Sequence, residues 1–490
     1  MRLSVLLNGL TDETIPDIEI KSMTNNSQQL VAGCLFLAEQ GIHSHGLDYL
    51  SDADCRKIGA IVYQTGYDIS RFSNYRHKMI GVDKLNEKVS AIAKRFYQPQ
   101  LGQALIGVTG TNGKTSVTNF IAQLSGYGVI GTMGYGDIKH LNELSHTTPD
   151  ALSVQKILAE LSSYCDGVAM EVSSHALALH RVASVAFSVA VFTNLSQDHL
   201  DFHHDMADYF AAKSKLFAFA SVNTAVINGD DDYGYRLAKT AEKNGKRALV
   251  FGQDERVKHF AEYVAVSNVK LSAQGISATL SVHLADYQGT EQLQTPVWGR
   301  FNVDNVLAAA LALYATGQSL SDLLRKASAL HGVNGRIEPI DLGANTIAII
   351  DYSHTPDALD NVLASLREHT DNKIYTVFGC GGDRDKKKRP LMAEAVNRSA
   401  DIGIITDDNP RTENAADIIA DILTGDIDKS RFEVIGNRRD AIRFALQQLS
   451  SGDMVLIAGK GHETYQIIGT EKTHFSDHEV VREWLAEQER

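Results

Sequence analysis

The chain has 490 residues, 43% of them hydrophobic and 22% charged, with a formal net charge of −13. This length exceeds what one hydrophobic core supports, so we expect about three domains, and the acidic balance argues against a nucleic-acid partner. Four cysteines without zinc-type spacing, and no signal peptide or membrane-length apolar run, predict a soluble cytoplasmic protein without membrane insertion.

The predicted domains comprise residues 1–101, 102–334 and 335–490. Residues 1–101 lack a glycine-rich phosphate loop and end in the turn-like "YQPQLGQ". The second boundary follows the glycine-bearing segment "HGVNGR". We place the boundaries there because glycine-rich turn segments interrupt regular secondary structure.

A phosphate-binding loop is predicted in the segment "GVTGTNGKTS", residues 107–116. An apolar strand precedes it, and a helix with an apolar stripe of Val117, Phe120, Ile121 and Leu124 follows it. Such a strand–turn–helix directs backbone N–H groups and the helix dipole at a phosphate. Lys114 can reach the terminal phosphates, and the Thr115 hydroxyl can ligate Mg²⁺. Val108 stands where the common motif has glycine, which indicates a subfamily with its own loop.

The central region alternates apolar strands with helices, which predicts a mostly parallel sheet. Glu171 follows one apolar run, and His199 follows another beside Asp198 and Asp201. A phosphate-bound Mg²⁺ takes oxygen ligands, and a second metal could recruit a histidine. The alternative interpretation is that Glu171 is an acidic residue at the start of a helix and that the histidines are solvated loop residues.

The C-terminal region begins a new alternation with "TIAIIDYSHTPDAL". Its strands end in the polar or glycine-rich segments "GCGGDRD", "TDDNPR" and "AGKGHE". Ligands of open α/β sheets bind at the carboxyl ends of the strands. We therefore expect these loops to contribute, with the phosphate loop, to one site.

Together these motifs resemble the ATP-dependent Mur ligases of peptidoglycan synthesis. The resemblance rests on "GTNGKTS", "EVSSHAL", "FTNLSQDHLDFH", "YFAAKSKLF", "GRFNVDN", "GVNGRIE", "DYSHTPDAL", "GCGGDRDKKKRP", "TDDNPR" and "AGKGHETYQ". These blocks occur in the family's order between residues 23 and 478. The resemblance implies an α/β fold of three domains: a smaller α/β N-terminal domain that binds the UDP substrate, a central phosphate-loop ATPase-type domain and a C-terminal Rossmann-like domain.

The implied reaction is amide synthesis through an acyl phosphate. Within this family, the resemblance is to the members that join meso-diaminopimelate to UDP-MurNAc-L-Ala-D-Glu, with ATP as co-substrate and Mg²⁺ as cofactor. These small molecules are the implied partners, and the protein is expected to be a monomer. The implied catalytic residues are Lys114, Lys213, His199 and Arg336.

The resemblance assigns further residues to nucleotide and metal. The implied ATP-binding residues are Gly110, Thr111, Asn112, Gly113, Lys114, Thr115, Ser116, Asn302, Asn305, Arg336 and Asp351. The implied metal ligands are Thr115, Glu171, His199 and Lys213. Lys213 matches the family's carbamylated lysine (N6-carboxylysine); the sequence alone favours a surface lysine at this position.

The implied UDP-substrate residues are Asn25, Ser27, Ile42, His43, Ser44, His146, Thr147, Thr148, Ser173, Leu179 and Arg181. Two of them depart from the family pattern, because relatives have Asn at the position of His146 and Gln at that of Leu179. The implied diaminopimelate-binding residues are Arg384, Asp408, Asn409, Pro410, Arg411, Gly459 and Glu463. The far carboxylate of this substrate calls for a bidentate arginine and its ammonium for an acidic partner.

Other functions predict different features of the sequence or different products. Lysine-adding Mur ligases usually lack the arginine that stands here at position 411. The "DNPR" segment and the long N-terminal region argue against a folylpolyglutamate synthase-like ligase. A phosphate-loop kinase or ATPase switch predicts phosphorylation or hydrolysis without an amide product. A nucleotide-binding scaffold without turnover predicts loss of the Mg²⁺ ligands, yet Thr115, Glu171 and His199 are all present.

Overall fold

The computed structural model describes residues 1–41, 44–100, 104–196, 198–199, 202–272 and 274–488. Contacts divide the chain into two compact units. The first comprises Met1–Ala265, His283–Gln288 and Leu307–Leu323, and the second comprises Val266–Val282, Gly289–Val306 and Leu324–Arg490. This division does not test the domain boundaries predicted after residues 101 and 334, which stay predictions.

A four-stranded parallel sheet lies in the N-terminal part of the first unit. Its strands, in spatial order, are β1 (Met23–Thr24), β2 (Leu35–Ala38), β3 (Ala60–Gln64) and β4 (Met79–Val82). The accompanying helices are α1 (Leu3–Leu6), α2 (Asp52–Lys57) and α3 (Leu85–Tyr97). Leu85, Val89 and Ile92 recur at helical spacing on α3 and are fully buried, so this helix covers the sheet with its apolar face.

The second sheet carries the phosphate loop. In chain order its strands are β5 (Leu105–Thr109), β6 (Gly128–Gly131), β7 (Gly134–Asp137), β8 (His140–Asn142), β9 (Val168–Glu171), β10 (Val189–Phe192), β11 (Thr224–Asn228), β12 (Arg247–Gly252), β13 (Glu262–Ser272), β14 (Gly275–His283) and β15 (Gln288–Thr295). The central order is β12-β11-β10-β5-β9-β6, and all of these neighbours pair in parallel. The associated helices are α4 (Lys114–Ser125), α5 (Ala151–Leu161), α6 (Ser174–Ala178), α7 (Met206–Ala218), α8 (Asp232–Lys243), α9 (Asn302–Tyr314) and α10 (Leu320–Lys326).

The third sheet lies in the second unit. Its strands are β16 (Glu338–Gly343), β17 (Thr346–Asp351), β18 (Ile374–Phe378), β19 (Ile402–Ile405), β20 (Phe432–Val434) and β21 (Met454–Ala458), in the order β16-β17-β21-β18-β19-β20. Only β16 is antiparallel to its neighbour in this sheet. A separate hairpin consists of β22 (Tyr465–Ile468) and β23 (Glu471–His474), and the helices are α11 (Pro356–Arg367), α12 (Lys388–Ser399), α13 (Ala415–Ile422), α14 (Arg438–Gln448) and α15 (Asp477–Gln488).

The predicted α/β class with largely parallel sheets is confirmed. The predicted stripe on α4 is buried, as is the corresponding stripe on α11. The sequence did not predict the antiparallel strands β7 and β8 or the hairpin β22–β23. Those strands are short and partly exposed, so they lack the apolar run that identifies a buried strand. Within the described residues, no helix combines the length and apolarity needed to span a bilayer.

Candidate active site

The phosphate loop joins the carboxyl end of β5 to the amino end of α4. Gly110 has φ +151°, and a Cβ there would stand 1.9 Å from Thr193 Oγ1, so only glycine fits. The loop is tied to the end of β10, because Thr111 N donates to Asn194 O at 2.9 Å and Asn112 N donates to Asn194 Oδ1 at 3.0 Å. Two neighbouring strands therefore shape the loop.

Two lysine side chains meet at this loop. Lys114 Nζ donates to Gly110 O at 2.9 Å and to Thr111 O at 2.8 Å, and Lys213 Nζ donates to Gly110 O at 2.8 Å. Lys213 is 1% exposed, so it is not the surface lysine that charge alone would suggest. Burial, reinforced by the charge of Lys114, lowers the pKa of Lys213 to about 6, although Asp198 opposes the shift. The amine of Lys213 is therefore largely neutral at pH 7.

Glu171 is the last residue of β9, and its carboxylate accepts hydrogen bonds from two segments beside the phosphate loop. Its Oε2 accepts from Thr115 Oγ1 at 3.1 Å, and its Oε1 accepts from Thr132 N at 2.8 Å. Gly131 leaves the room for this carboxylate, since a Cβ there would lie 2.2 Å from Oε1. Thr132 Oγ1 also lies 3.0 Å from Thr147 Oγ1, which extends the network to another predicted site residue. Hydroxyl and carboxylate oxygens, the ligands that Mg²⁺ prefers, thus converge beside the phosphate loop.

His199 has φ 53°, in the left-handed region. Its ring centroid lies 4.9 Å from that of His175 in an edge-to-face arrangement and 6.1 Å from that of Tyr209. Its Nε2 lies 3.4 Å from Asp198 Oδ2. Tyr209 OH is in turn 3.2 Å from Thr111 Oγ1, so His199 lies in the same neighbourhood as the loop. Among the described residues, no cluster of three or more His, Cys, Asp or Glu side chains is arranged to hold a metal ion.

The predicted muramoyl-peptide residues continue from Glu171. Thr148 Oγ1 donates to Glu171 O at 2.8 Å and accepts from Ser173 N at 3.0 Å. Arg181 Nη1 donates to Thr148 O at 2.9 Å. Thr147, Thr148, Ser173 and Arg181 therefore belong to one hydrogen-bonded group next to the predicted metal ligands.

A polar cluster links this group to the N-terminal sheet within the first unit. Asn25 Nδ2 donates to Glu39 Oε1 at 3.3 Å and to Asp150 Oδ1 at 3.4 Å. Burial raises the pKa of Glu39 to about 7; Asp150 adds to the shift, whereas Asn25 and Arg181 oppose it. Asn25 and Arg181 were predicted from the sequence, whereas Glu39 and Asp150 were not. Their positions just after β2 and at the N-cap of α5 were the available signals.

The other predicted UDP-substrate residues are less tightly connected. Ser44 Oγ lies 2.6 Å from Tyr49 OH, and His146 Nδ1 lies 2.9 Å from Ser145 Oγ. Ser27 begins a short 3₁₀ turn capped by Asn26, and Leu179 is 37% exposed at the end of α6. Ile42 and His43 lie outside the described residues.

The second unit carries the remaining predicted ATP residues. Asn305 Nδ2 donates to Asn302 Oδ1 at 2.8 Å, and Asn302 Nδ2 donates to Trp298 O at 2.6 Å. The two buried side-chain amides are therefore hydrogen-bonded to each other and to the backbone. The carboxylate of Asp351 accepts from Ile337 N at 2.8 Å and therefore ties the chain after Arg336 to the end of β17.

Arg336 lies with its guanidinium carbon 4.8 Å from the ring centroid of Tyr352. The Tyr352 ring also packs against His462, with centroids 5.3 Å apart. Burial is the main cause that lowers the pKa of His462, and the charge of Arg336 lowers it further. This places Arg336 in the neighbourhood of the "GKGHE" loop within the second unit.

The predicted diaminopimelate residues gather at the ends of β19 and β21. Asn409 Nδ2 donates to Glu463 Oε2 at 3.2 Å. Arg411 has φ 51°, and its Nη1 donates to Gly382 O at 2.8 Å. Gly459 has φ +112°, and a Cβ there would approach Asp408 Oδ2 to 3.4 Å. Arg384 is exposed on the adjoining loop.

Comparisons with known proteins identify the family of this chain. Residues 108–313 match the Mur ligase middle domain, and residues 335–461 match the Mur ligase glutamate ligase domain. A relative from Pseudomonas aeruginosa, UDP-N-acetylmuramoyl-L-alanyl-D-glutamate–2,6-diaminopimelate ligase, is 41% identical over 98% of this chain and 98% of its own length. The chain belongs to the Mur ligase family. It is therefore an ATP-dependent ligase that forms an amide bond.

Solved structures extend the likeness to the whole architecture. A structure of UDP-N-acetylmuramoyl-L-alanyl-D-glutamate–2,6-diaminopimelate ligase has a TM-score of 0.75 and 32% identity, and it covers 100% of this Mur ligase and 99% of that chain. Mycobacterium tuberculosis folylpolyglutamate synthase complexed with ADP has a TM-score of 0.59 at 16% identity, with 76% of this chain and 91% of that chain covered. The second likeness shows a shared fold only.

Proposed function

We propose that this ligase joins meso-diaminopimelate to UDP-N-acetylmuramoyl-L-alanyl-D-glutamate in the cytoplasm, as a step of peptidoglycan precursor synthesis. The observation that carries the proposal is the gathering of Asp408, Asn409 and Glu463, with Arg411 on the same loop, at the ends of β19 and β21. An acidic group and a guanidinium suit a substrate end that bears both an ammonium and a carboxylate. The names of the relative and the solved structure described above support the same substrate.

The proposed reaction has two steps. A carboxylate oxygen of the D-glutamate side chain attacks the γ-phosphorus of ATP, the bond to the β-phosphate oxygen breaks, and ADP leaves. The amine of diaminopimelate then attacks the acyl carbon, and the tetrahedral intermediate expels phosphate and loses a proton. The first step brings two anions together, so the cationic side chains of Lys114 and Arg336 are assigned to neutralise charge there.

Mg²⁺ is proposed as the cofactor. The hydroxyl of Thr115 and the carboxylate of Glu171, 3.1 Å apart, are hard oxygen donors of the right kind, and His199 and carbamylated Lys213 are assigned as further ligands. When bound, the ion would neutralise phosphate charge. Asn302, Asn305 and Asp351 are proposed to serve the nucleotide, and the residues around Thr148 and Arg181 the muramoyl peptide.

The decisive test is the mass of the product. Purified protein receives ATP, Mg²⁺ and the muramoyl dipeptide, together with either diaminopimelate or lysine. We expect the diaminopimelate tripeptide, ADP and phosphate. A lysine tripeptide as the main product would establish the lysine-adding alternative, and ADP without any amide product would establish an ATPase.

A further inference from the structure

Lys460 is a fully buried lysine beside the predicted amino-acid site; burial lowers the pKa of its amine, and the charge of Asp408 opposes this shift. Lys460 follows β21 and has 0% exposure. Its Nζ donates to Tyr465 O at 2.8 Å and to Asn409 Oδ1 at 3.1 Å. The same Nζ lies 3.2 Å from Asp408 Oδ1 and 3.9 Å from Glu463 Oε2. One ammonium therefore contacts three of the residues assigned to the substrate.

Among the side chains that Lys460 Nζ contacts, two carboxylates face one cationic group. They are the carboxylates of Asp408 and Glu463. The neighbouring cation, Arg438, is bonded at 2.8 and 2.7 Å to both oxygens of the fully buried Asp477. Two carboxylates that face one ammonium suit a site that receives a further cation from its substrate.

One carboxylate oxygen in this group also lacks a hydrogen bond. Asp408 is 8% exposed, and within the described part of the chain no hydrogen bond reaches its Oδ1. The 3.2 Å approach of Lys460 is an ion pair without hydrogen-bond geometry. A buried acceptor that is left open points to a donor supplied by a ligand.

We propose that Lys460 is a positioning residue for the amino-acid substrate. Its ammonium holds Asp408, Asn409 and Glu463 in one arrangement, in which the two carboxylates can receive the distal ammonium of the substrate. The inference rests on the proposed function and adds to it a residue beneath the site. Lys460 acts through Asp408 and Glu463, whereas Arg411 is assigned to the distal carboxylate.

The test compares Lys460→Met and Lys460→Gln with the wild-type enzyme. Both variants remove the charge, and the glutamine can still donate a hydrogen bond to Asn409 or Tyr465. We expect the KM for diaminopimelate to rise at least about tenfold, because the two carboxylates are no longer held together. The KM values for ATP and for the muramoyl dipeptide, and kcat, should stay within about threefold of wild type.

Lysine as the substrate separates Lys460 from Arg411. Lysine carries a distal ammonium but no distal carboxylate, so kcat/KM should fall by similar factors for lysine and diaminopimelate in the Lys460 variants. Lys472→Met is the matched control, because Lys472 is exposed and its Nζ lies over the ring of Tyr465 at 3.8 Å. This control should leave all three KM values unchanged.

Each other outcome overturns the inference. A KM for diaminopimelate within twofold of wild type in the folded variants would show that Lys460 does not position the site. A parallel rise of all three KM values, or unfolding of both variants, would assign Lys460 a purely structural role. A changed ratio between the two amino acids would place its effect on the carboxylate side. Failure of the wild-type enzyme to use diaminopimelate would instead refute the proposed function.

Discussion

Single buried ionisable side chains determine much of the chemistry available to this ligase. Lys213 shows this most directly, because its amine lies 2.8 Å from Gly110 O and shares that oxygen with Lys114. Burial and the Lys114 charge favour the neutral amine. A neutral amine can react with carbon dioxide, and the resulting carbamate would be an anion beside the Lys114 ammonium. The location therefore suits the proposed modification.

Lys213→Ala should reduce kcat by on the order of a hundredfold or more, since a charged group at the reaction centre is lost. Added short carboxylic acids should restore part of the activity by standing in for the carbamate. Lys213→Arg should remain inactive because arginine cannot become an anionic ligand. The measurement is kcat for each variant with and without acetate, and full activity of the arginine variant would refute carbamylation.

Glu39 should make the first unit less stable as the pH rises. Its pKa is raised from 4.5 to about 7, so the folded state keeps a proton that the unfolded state loses between these values. The free energy of unfolding therefore falls across this window, by roughly 3 kcal/mol at most. Glu39→Gln should flatten the profile and be the more stable protein at pH 8. Thermal unfolding from pH 5 to 8 checks this, with the exposed Glu19→Gln as the control; parallel profiles for Glu39→Gln and wild type would contradict it.

At the scale of elements, the strand–loop–helix of β5 and α4 depends on a glycine that no other residue can replace. Gly110→Ala should lower kcat/KM for ATP on the order of a hundredfold, because the new Cβ displaces the loop from Thr193. Gly126→Ala is the control at the other end of α4. Its Cβ meets open space, but φ is +77°, so the variant should lose about 1 to 2 kcal/mol of stability. Its enzymatic activity should stay at the wild-type level. Equal activity of the two variants would contradict the steric argument.

The loop after β19 makes a separate prediction about substrate choice. Arg411→Ala should raise the KM for diaminopimelate strongly, because an unpaired buried carboxylate costs about 2 to 5 kcal/mol. The KM for ATP should stay near the wild-type value, and Arg411→Lys should recover little since it lacks the planar fork. The measurement is the ratio of kcat/KM for diaminopimelate to that for lysine. An unchanged ratio in Arg411→Ala would remove Arg411 from substrate selection.

At the scale of the whole molecule, the second unit depends on one buried ion pair that joins three elements. Arg438 at the start of α14 binds Asp477 at the start of α15, and its Nη2 donates to Ala458 O at 2.9 Å at the end of β21. Both side chains are fully buried. Removing one partner leaves an uncompensated charge inside the unit.

Arg438→Met should therefore destabilise the second unit by about 3 to 5 kcal/mol, and the double variant Arg438→Met/Asp477→Leu should recover most of this. Trp298 and Trp484, the two tryptophans of the chain, both belong to the second unit, so urea unfolding followed by their fluorescence reports on it. Arg443→Met, which breaks a pair with the exposed Glu487, is the control and should leave the free energy of unfolding nearly unchanged, because surface ion pairs contribute little. A double variant as unstable as the single one would contradict the argument.

The sequence by itself determined the α/β class, the phosphate loop and the family, because these depend on local patterns: apolar strands, helical spacing and motifs of contiguous residues. It also named Glu171 and Thr115, but it could not predict that Thr132 would join them. Glu39, Asp150 and Lys460 were missed for the same reason. Each looks like an ordinary charged residue until distant segments bury it against named partners. Only the tertiary structure decides burial and proximity, and these two quantities determine the pKa of Glu39 and Lys213 and the contacts of Lys460 with Asp408, Asn409 and Glu463.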